Sequence, residues 1–139
     1  MQNILIADDE EGIRELIEAT LASPDCRILQ AADGAAALSL AHQYIPDLII
    51  LDWMMPKLSG PEVVERLRGD SVTAGIPVIL LTGLGDESHR RRGATLGAVA
   101  YLIKPFSPLQ LMEIVEHVLR ERLSDDHAHP NAAALAHSA

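Results

Sequence analysis

Four separated stretches of the chain carry side chains whose chemistry is complementary. Asp8-Asp9-Glu10-Glu11 supplies a run of carboxylates, Asp52 another, Thr82 a hydroxyl next to Gly83, and Lys104 an ammonium before Pro105. Carboxylates brought together repel one another unless a cation stands among them. Hard oxygen ligands suit Mg²⁺, which keeps several waters and takes one or two carboxylates. On the far side of the same pocket a lysine would hold a phosphoryl group as a point charge and a threonine would bond it as a donor. Asp52 is then the candidate nucleophile, because a carboxylate can accept a phosphoryl group as an aspartyl-phosphate. In-line transfer needs mainly positioning and charge neutralisation, and Gly83 leaves room for the incoming group. Taken singly, these residues also have ordinary roles: Asp9 or Glu10 could cap a following helix, and Lys104-Pro105 could be a turn. The chemistry rests on their being brought together.

The elements that would do so are legible as five short apolar runs, over residues 4–7, 26–29, 48–51, 78–81 and 99–103, with helical pattern between them. Their hydrophobicity is continuous rather than alternating, as expected of parallel strands covered on both faces. Sites in such open sheets form just beyond the carboxyl ends of the strands. Four of the five runs end in the residues named above, whereas the second ends in the plain turn Ala32-Asp33-Gly34.

The first helix carries Ile13, Leu16, Ile17, Thr20 and Leu21 on one face and Arg14, Glu15 and Glu18 on another. A second runs through 35–41 and a third through 62–67, entered by Pro61. The fourth, from Glu87 to Leu96, has three consecutive arginines, an internal glycine and few apolar anchors, and is expected to be the least stable. Arg90, Arg91 and Arg92 read as a solvated helix face. The last, over 109–123, carries Leu111, Ile114, Val115 and Val118 on one side, and Met112 and Leu119 widen that stripe beyond what one buried face requires.

The 139 residues suit one compact domain, placed at 1–122, followed by an unpatterned segment, 123–139, that reads as a disordered tail or linker remnant with solvated His127, His129 and His137. A single cysteine excludes a disulfide scaffold; Cys26, in an apolar run, reads as a buried small hydrophobe in a reducing compartment. A net charge of −9 disfavours direct nucleic-acid binding. With no signal peptide and no apolar run long enough to cross a bilayer, the expected location is the cytoplasm.

As an ordered set, the acidic pair Asp8-Asp9, the segment Leu51-Asp52-Trp53-Met54-Met55-Pro56 with Gly60, the run Pro77 to Thr82 and Tyr101-Leu102-Ile103-Lys104-Pro105-Phe106 resemble the response-regulator receiver domains of two-component signalling, over residues 2–122. The resemblance implies a flavodoxin-like, doubly wound α/β fold with a five-stranded parallel sheet in the order 2-1-3-4-5. It implies a phosphorylation-dependent switch rather than an enzyme acting on a separate substrate. Asp52 would be the phosphoacceptor, loaded by a histidine kinase or phosphotransfer protein. Mg²⁺, or Mn²⁺, would be held by Asp9, Asp52 and the Met54 backbone carbonyl, with Asp8 acting through water. Lys104 would pair with the phosphoryl group, aimed by a cis peptide before Pro105. Thr82 would swing toward the phosphoryl oxygen and Tyr101 would follow it inward, remodelling the surface of the fourth helix, fifth strand and fifth helix. That surface is where a protein target or a second copy of the chain would dock.

Met54 and Leu84 offer no polar group to orient an attacking water, so loss of the phosphoryl group is expected to be slow. Trp53 is expected to pack beside the metal and report its presence. Two alternatives remain in view: a receiver portion of a longer DNA-binding regulator, and an aspartate-nucleophile phosphohydrolase. The phosphohydrolase is disfavoured because Asp8-Asp9-Glu10-Glu11-Gly12 departs from an Asp-x-Asp pattern. A dinucleotide site at Gly83-Leu84-Gly85 lacks its third glycine and follows the wrong strand.

Overall fold

A computed structural model of the chain describes residues 1–83 and 87–127. Five strands alternate with five helices: β1 (Gln2–Ala7), α1 (Glu11–Leu21), β2 (Cys26–Ala31), α2 (Gly34–Tyr44), β3 (Leu48–Asp52), α3 (Gly60–Arg68), β4 (Val78–Gly83), α4 (Glu87–Leu96), β5 (Ala100–Lys104) and α5 (Pro108–His127). The strands form one parallel sheet in the order β2-β1-β3-β4-β5, the flavodoxin-like arrangement expected from the sequence. The order reverses between β1 and β3, so the crevice at that switch point lies beside the carboxyl ends of both strands.

Alternation along the central strands feeds two cores. Leu5, Ala7, Ile49, Leu51, Val78 and Leu80 face α2 and α3, with Leu96 of α4 packed at the edge. Ile4, Ile6, Leu48, Ile50, Ile79 and Leu81 face Ile17 of α1 and Leu111, Val115 and Val118 of α5. Fully burying such a side chain contributes about 1.5–3 kcal/mol, which is why β1, β3 and β4 read as unbroken apolar runs. The edge strands β2 and β5 are only partly buried and more mixed.

The helix starts are written in local chemistry. Asp33 caps α2 by accepting from the Ala36 N–H at 2.8 Å. Ser59 and Glu62 form a reciprocal capping box at α3, and Ser107 and Gln110 exchange the same pair of bonds at α5. Two glycines let the loop after β3 fold tightly. A Cβ at Gly34 would meet the Leu58 carbonyl oxygen at 2.1 Å, and one at Gly60 would meet that of Asp52 at 2.5 Å. Between them Lys57 takes the left-handed conformation, φ 70°.

The structure departs from the sequence reading in several places. Leu16, assigned to the buried stripe of α1, is 38% exposed, and Cys26, expected to be buried, is only partly so because it opens an edge strand. Strand β5 starts at Ala100, which leaves Val99 exposed. Helix α5 continues past Leu123 to His127, since no glycine or proline interrupts the chain between Pro108 and Pro130. The remainder of the expected tail, 128–139, with His129 and His137, lies outside the described residues. Gly93, which looked like a weakness in α4, has a packing reason: a Cβ there would meet Tyr101 Cε1 at 2.6 Å and Leu80 Cδ1 at 2.9 Å. Only a glycine lets α4 settle that closely on β4 and β5.

Candidate functional site

The carboxyl ends of β1, β3, β4 and β5 bring the expected residues to one edge of the sheet. Asp8 follows β1 and is wholly buried; Asp52 ends β3 and Thr82 lies near the end of β4, both buried; Lys104 ends β5. The register aligns them, Ala7 pairing with Leu51, Asp52 with Leu81 and Gly83 with Lys104. Asp9 sits exposed at the rim, and carboxylate oxygens of Asp8, Asp9 and Asp52 all lie within 4.8 Å of one another.

The acidic run is not consumed by helix capping. Glu10 is the N-cap of α1, yet its side chain makes no cap bond; instead its backbone N–H donates to Asp8 Oδ1 at 2.9 Å. Arg14, one turn into α1, donates to the Asp8 carbonyl at 2.7 Å and fixes the backbone there. Asp52 accepts from the Trp53 N–H at 2.9 Å.

Lys104 Nζ stands 2.8 Å from Asp8 Oδ2, 3.3 Å from Asp52 Oδ1 and 3.8 Å from Glu10 Oε1. One ammonium therefore faces three carboxylates, an excess of negative charge in a mostly buried place. Although Lys104 is close, Asp8 Oδ2 receives no well-directed hydrogen bond among the described residues, leaving acceptor capacity pointed into the cluster. Burial, then the Asp8 charge, push the Asp52 carboxyl up to about 6, against the opposing pull of Lys104. Burial alone would lower Lys104, but the Asp8 carboxylate beside it and the charge of Asp52 outweigh it, so its pKa is raised. Oxygen-only donors, surplus negative charge and an under-bonded buried oxygen fit a hard divalent cation held by Asp8, Asp9 and Asp52.

Around this centre, the Lys104–Pro105 peptide is cis and Phe106 packs against the α1/α5 core. The Met54 side chain is 71% exposed at the rim, and Trp53 is buried beside Asp52. Tyr101 already lies inward, its ring against Gly93 and its hydroxyl buried. Leu84 and Gly85 fall outside the described residues; Arg91 and Arg92 are exposed, as a solvated helix face requires. Sequence reasoning missed His89. Its ring stacks on Trp53 with centroids 4.0 Å apart and planes 7° apart, and its Nδ1 lies 3.2 Å from Thr82 Oγ1. No local pattern foretells a contact across 36 residues; a lone histidine on a polar helix gives no signal. Arg14 was likewise read only as a helix-surface residue, and Glu10 as one of the acidic run or a helix cap.

Comparison with known proteins gives this site a context. Residues 4–116 match the family model of the response regulator receiver domain. The chain is 45% identical over 119 residues to ycf27 of Guillardia theta, whose name describes a probable transcriptional regulator, covering 86% of this chain and 46% of that protein. It is 42% identical over 119 residues to the phosphate regulon transcriptional regulatory protein PhoB of Pseudomonas aeruginosa, covering 86% and 52%. The chain thus spans about half the length of these curated relatives. Among solved structures, the chemotaxis protein CheY4 of Vibrio cholerae superposes with a TM-score of 0.79 at 33% identity, over 85% of this chain and 98% of that one.

Proposed function

The chain belongs to the response regulator receiver domain family, and from that premise we propose that it is a signalling switch phosphorylated on Asp52. The observation that carries the reading is the convergence of the Asp8, Asp9 and Asp52 carboxylates within 4.8 Å, with Lys104 Nζ 3.3 Å from Asp52. The donor is a phosphohistidine on a sensor histidine kinase or phosphotransfer protein. The P–N bond of the donor breaks as an Asp52 carboxylate oxygen bonds to phosphorus, and the departing imidazole nitrogen keeps the electron pair. With its carboxyl near 6, Asp52 is mostly the ionised nucleophile at neutral pH.

Mg²⁺, or Mn²⁺, when bound by Asp9, Asp52 and the Met54 carbonyl with Asp8 acting through water, supplies charge neutralisation at the phosphoryl oxygens. Lys104 pairs with the phosphoryl group. Thr82 donates to one of its oxygens, and the packing of Tyr101 against Gly93 passes the change to the α4-β5-α5 surface. With Met54 exposed and apolar at the rim, no side chain from that position orients a water, so the phosphoryl group is lost slowly; a half-life of seconds would contradict this. The output is a protein contact on α4-β5-α5, with homodimerisation of the phosphorylated form as one such contact. A second reading is favoured by the relatives: they are named as transcriptional regulators and are about twice as long, so this receiver would control a DNA-binding segment in a longer protein.

The test is intact mass after incubation with Mg²⁺ and acetyl phosphate. One phosphoryl adduct is expected in the wild type with metal, and none in Asp52→Asn or after chelation. An adduct that persists in Asp52→Asn would overturn the assignment of the acceptor.

A further inference from the structure

Helix α4 has little apolar surface to hold it: among its described side chains, Gly93 is buried and Leu96 partly so. Yet it sends one aromatic side chain into the site. His89 lies face to face with Trp53, the residue after the proposed phosphoacceptor, and its Nδ1 bonds Thr82 Oγ1 at 3.2 Å. A single imidazole thus ties α4 to the residue that follows β3 and to Thr82 of β4. Trp53 and Thr82 are themselves buried, so neither contact is a solvent-screened surface pairing.

A phosphoryl group brings acceptor oxygens and no donor, while a threonine hydroxyl has one proton to give. With Nδ1 as the unprotonated ring nitrogen, His89 accepts that proton from Thr82, and Thr82 cannot then also give it to a phosphoryl group. We propose that His89 is a positioning residue, a latch that holds Thr82 and Trp53 in the unphosphorylated arrangement and that must open before Thr82 can bond a phosphoryl group on Asp52. The proposal rests on the reading of Asp52 as phosphoacceptor. It adds that phosphorylation and release of α4 from Trp53 and Thr82 are two sides of one equilibrium. Whatever weakens the latch therefore favours phosphorylation, because a coupling between two states acts reciprocally.

The test compares the full chain with His89→Ala, which loses both contacts, His89→Phe, which keeps the stack, and His89→Asn, which keeps a polar partner for Thr82. Each is followed by intact mass with Mg²⁺ and limiting acetyl phosphate, by Trp53 fluorescence, and by amide hydrogen exchange of α4 without phosphate. A stack and one neutral hydrogen bond together are worth about tenfold in such an equilibrium. His89→Ala should accordingly take up phosphate about tenfold faster at limiting donor and exchange its α4 amides faster by a similar factor. The Phe and Asn variants should fall between it and the wild type.

A residue that only stabilised the fold would lower the melting temperature without accelerating uptake. Normal uptake in the wild type at a rate shared by all three variants overturns the latch and leaves the Asp52 reading intact. Absence of any adduct in the wild type and every variant, with acetyl phosphate and with phosphoramidate, overturns the Asp52 reading and the latch with it. Unchanged α4 exchange in His89→Ala overturns the latch whatever the phosphate result.

Discussion

Replacing Asp52 with asparagine should make the metal-free protein more stable, by an amount set by pH. The carboxyl of Asp52 is lifted from an ordinary 3.8 to about 6 by burial and by the Asp8 charge, net of the opposing Lys104 ammonium. A lift of about two units is worth about 3 kcal/mol at 1.36 kcal/mol per unit. Because water reaches part of the group, roughly half of that survives screening, on the order of 1–2 kcal/mol. The folded state holds this proton more tightly than the unfolded chain does, so ionising Asp52 subtracts stability. The loss is absent below 3.8, grows as pH rises, and is complete above about 6. Asparagine keeps the shape and removes the charge. In chelator at about pH 7.5, Asp52→Asn should therefore melt about 5 °C above the wild type, and the two curves should converge as pH falls toward about 4. Millimolar Mg²⁺ should close the gap from the other side by stabilising the wild type alone. Thermal unfolding of both proteins across this pH range, with and without metal, reads the effect. A variant no more stable than wild type at neutral pH, or a gap that persists undiminished in acid, would refute the electrostatic account of the site.

Two further outcomes follow from the same geometry. Gly60→Ala places a Cβ 2.5 Å from the Asp52 carbonyl oxygen and 3.1 Å from Trp53 Cα; since both are backbone atoms, urea unfolding should show a loss of about 2 kcal/mol, and phosphoryl uptake should slow as Asp52 is displaced. Lys104→Met removes the ammonium that stands between Asp8 and Asp52; in chelator at neutral pH it should cost about 2 kcal/mol, less than a fully buried pair because Lys104 is partly exposed. Acid should restore much of that loss, because Asp52 then protonates above its wild-type value; a loss independent of pH would point to packing instead.

How much of this was legible in the sequence differs from one feature to the next. The three central strands were plain because a strand buried on both faces must be apolar at every position, as Leu48 to Leu51 and Val78 to Leu81 are. The order of the proposed site residues was plain as well, since βα units carry each strand's last polar residue to the same edge of the sheet. Edge strands and helix ends were less so: β2 and β5 are mixed in composition because they are half covered, and α5 outran its apolar stripe because nothing in its backbone stops it.

By itself, then, the sequence determined the α/β class, the chemistry at the strand ends and the surplus of negative charge that asks for a cation. Those properties reside in residue type and local spacing. The tertiary structure alone decided that Lys104 stands between Asp8 and Asp52, that the acidic run is left uncapped, that Gly93 seats α4 on Tyr101, and that His89 lies against Trp53 and Thr82. Each of these depends on the distance between atoms of different elements, which packing fixes to within an ångström and which no periodicity along one chain encodes.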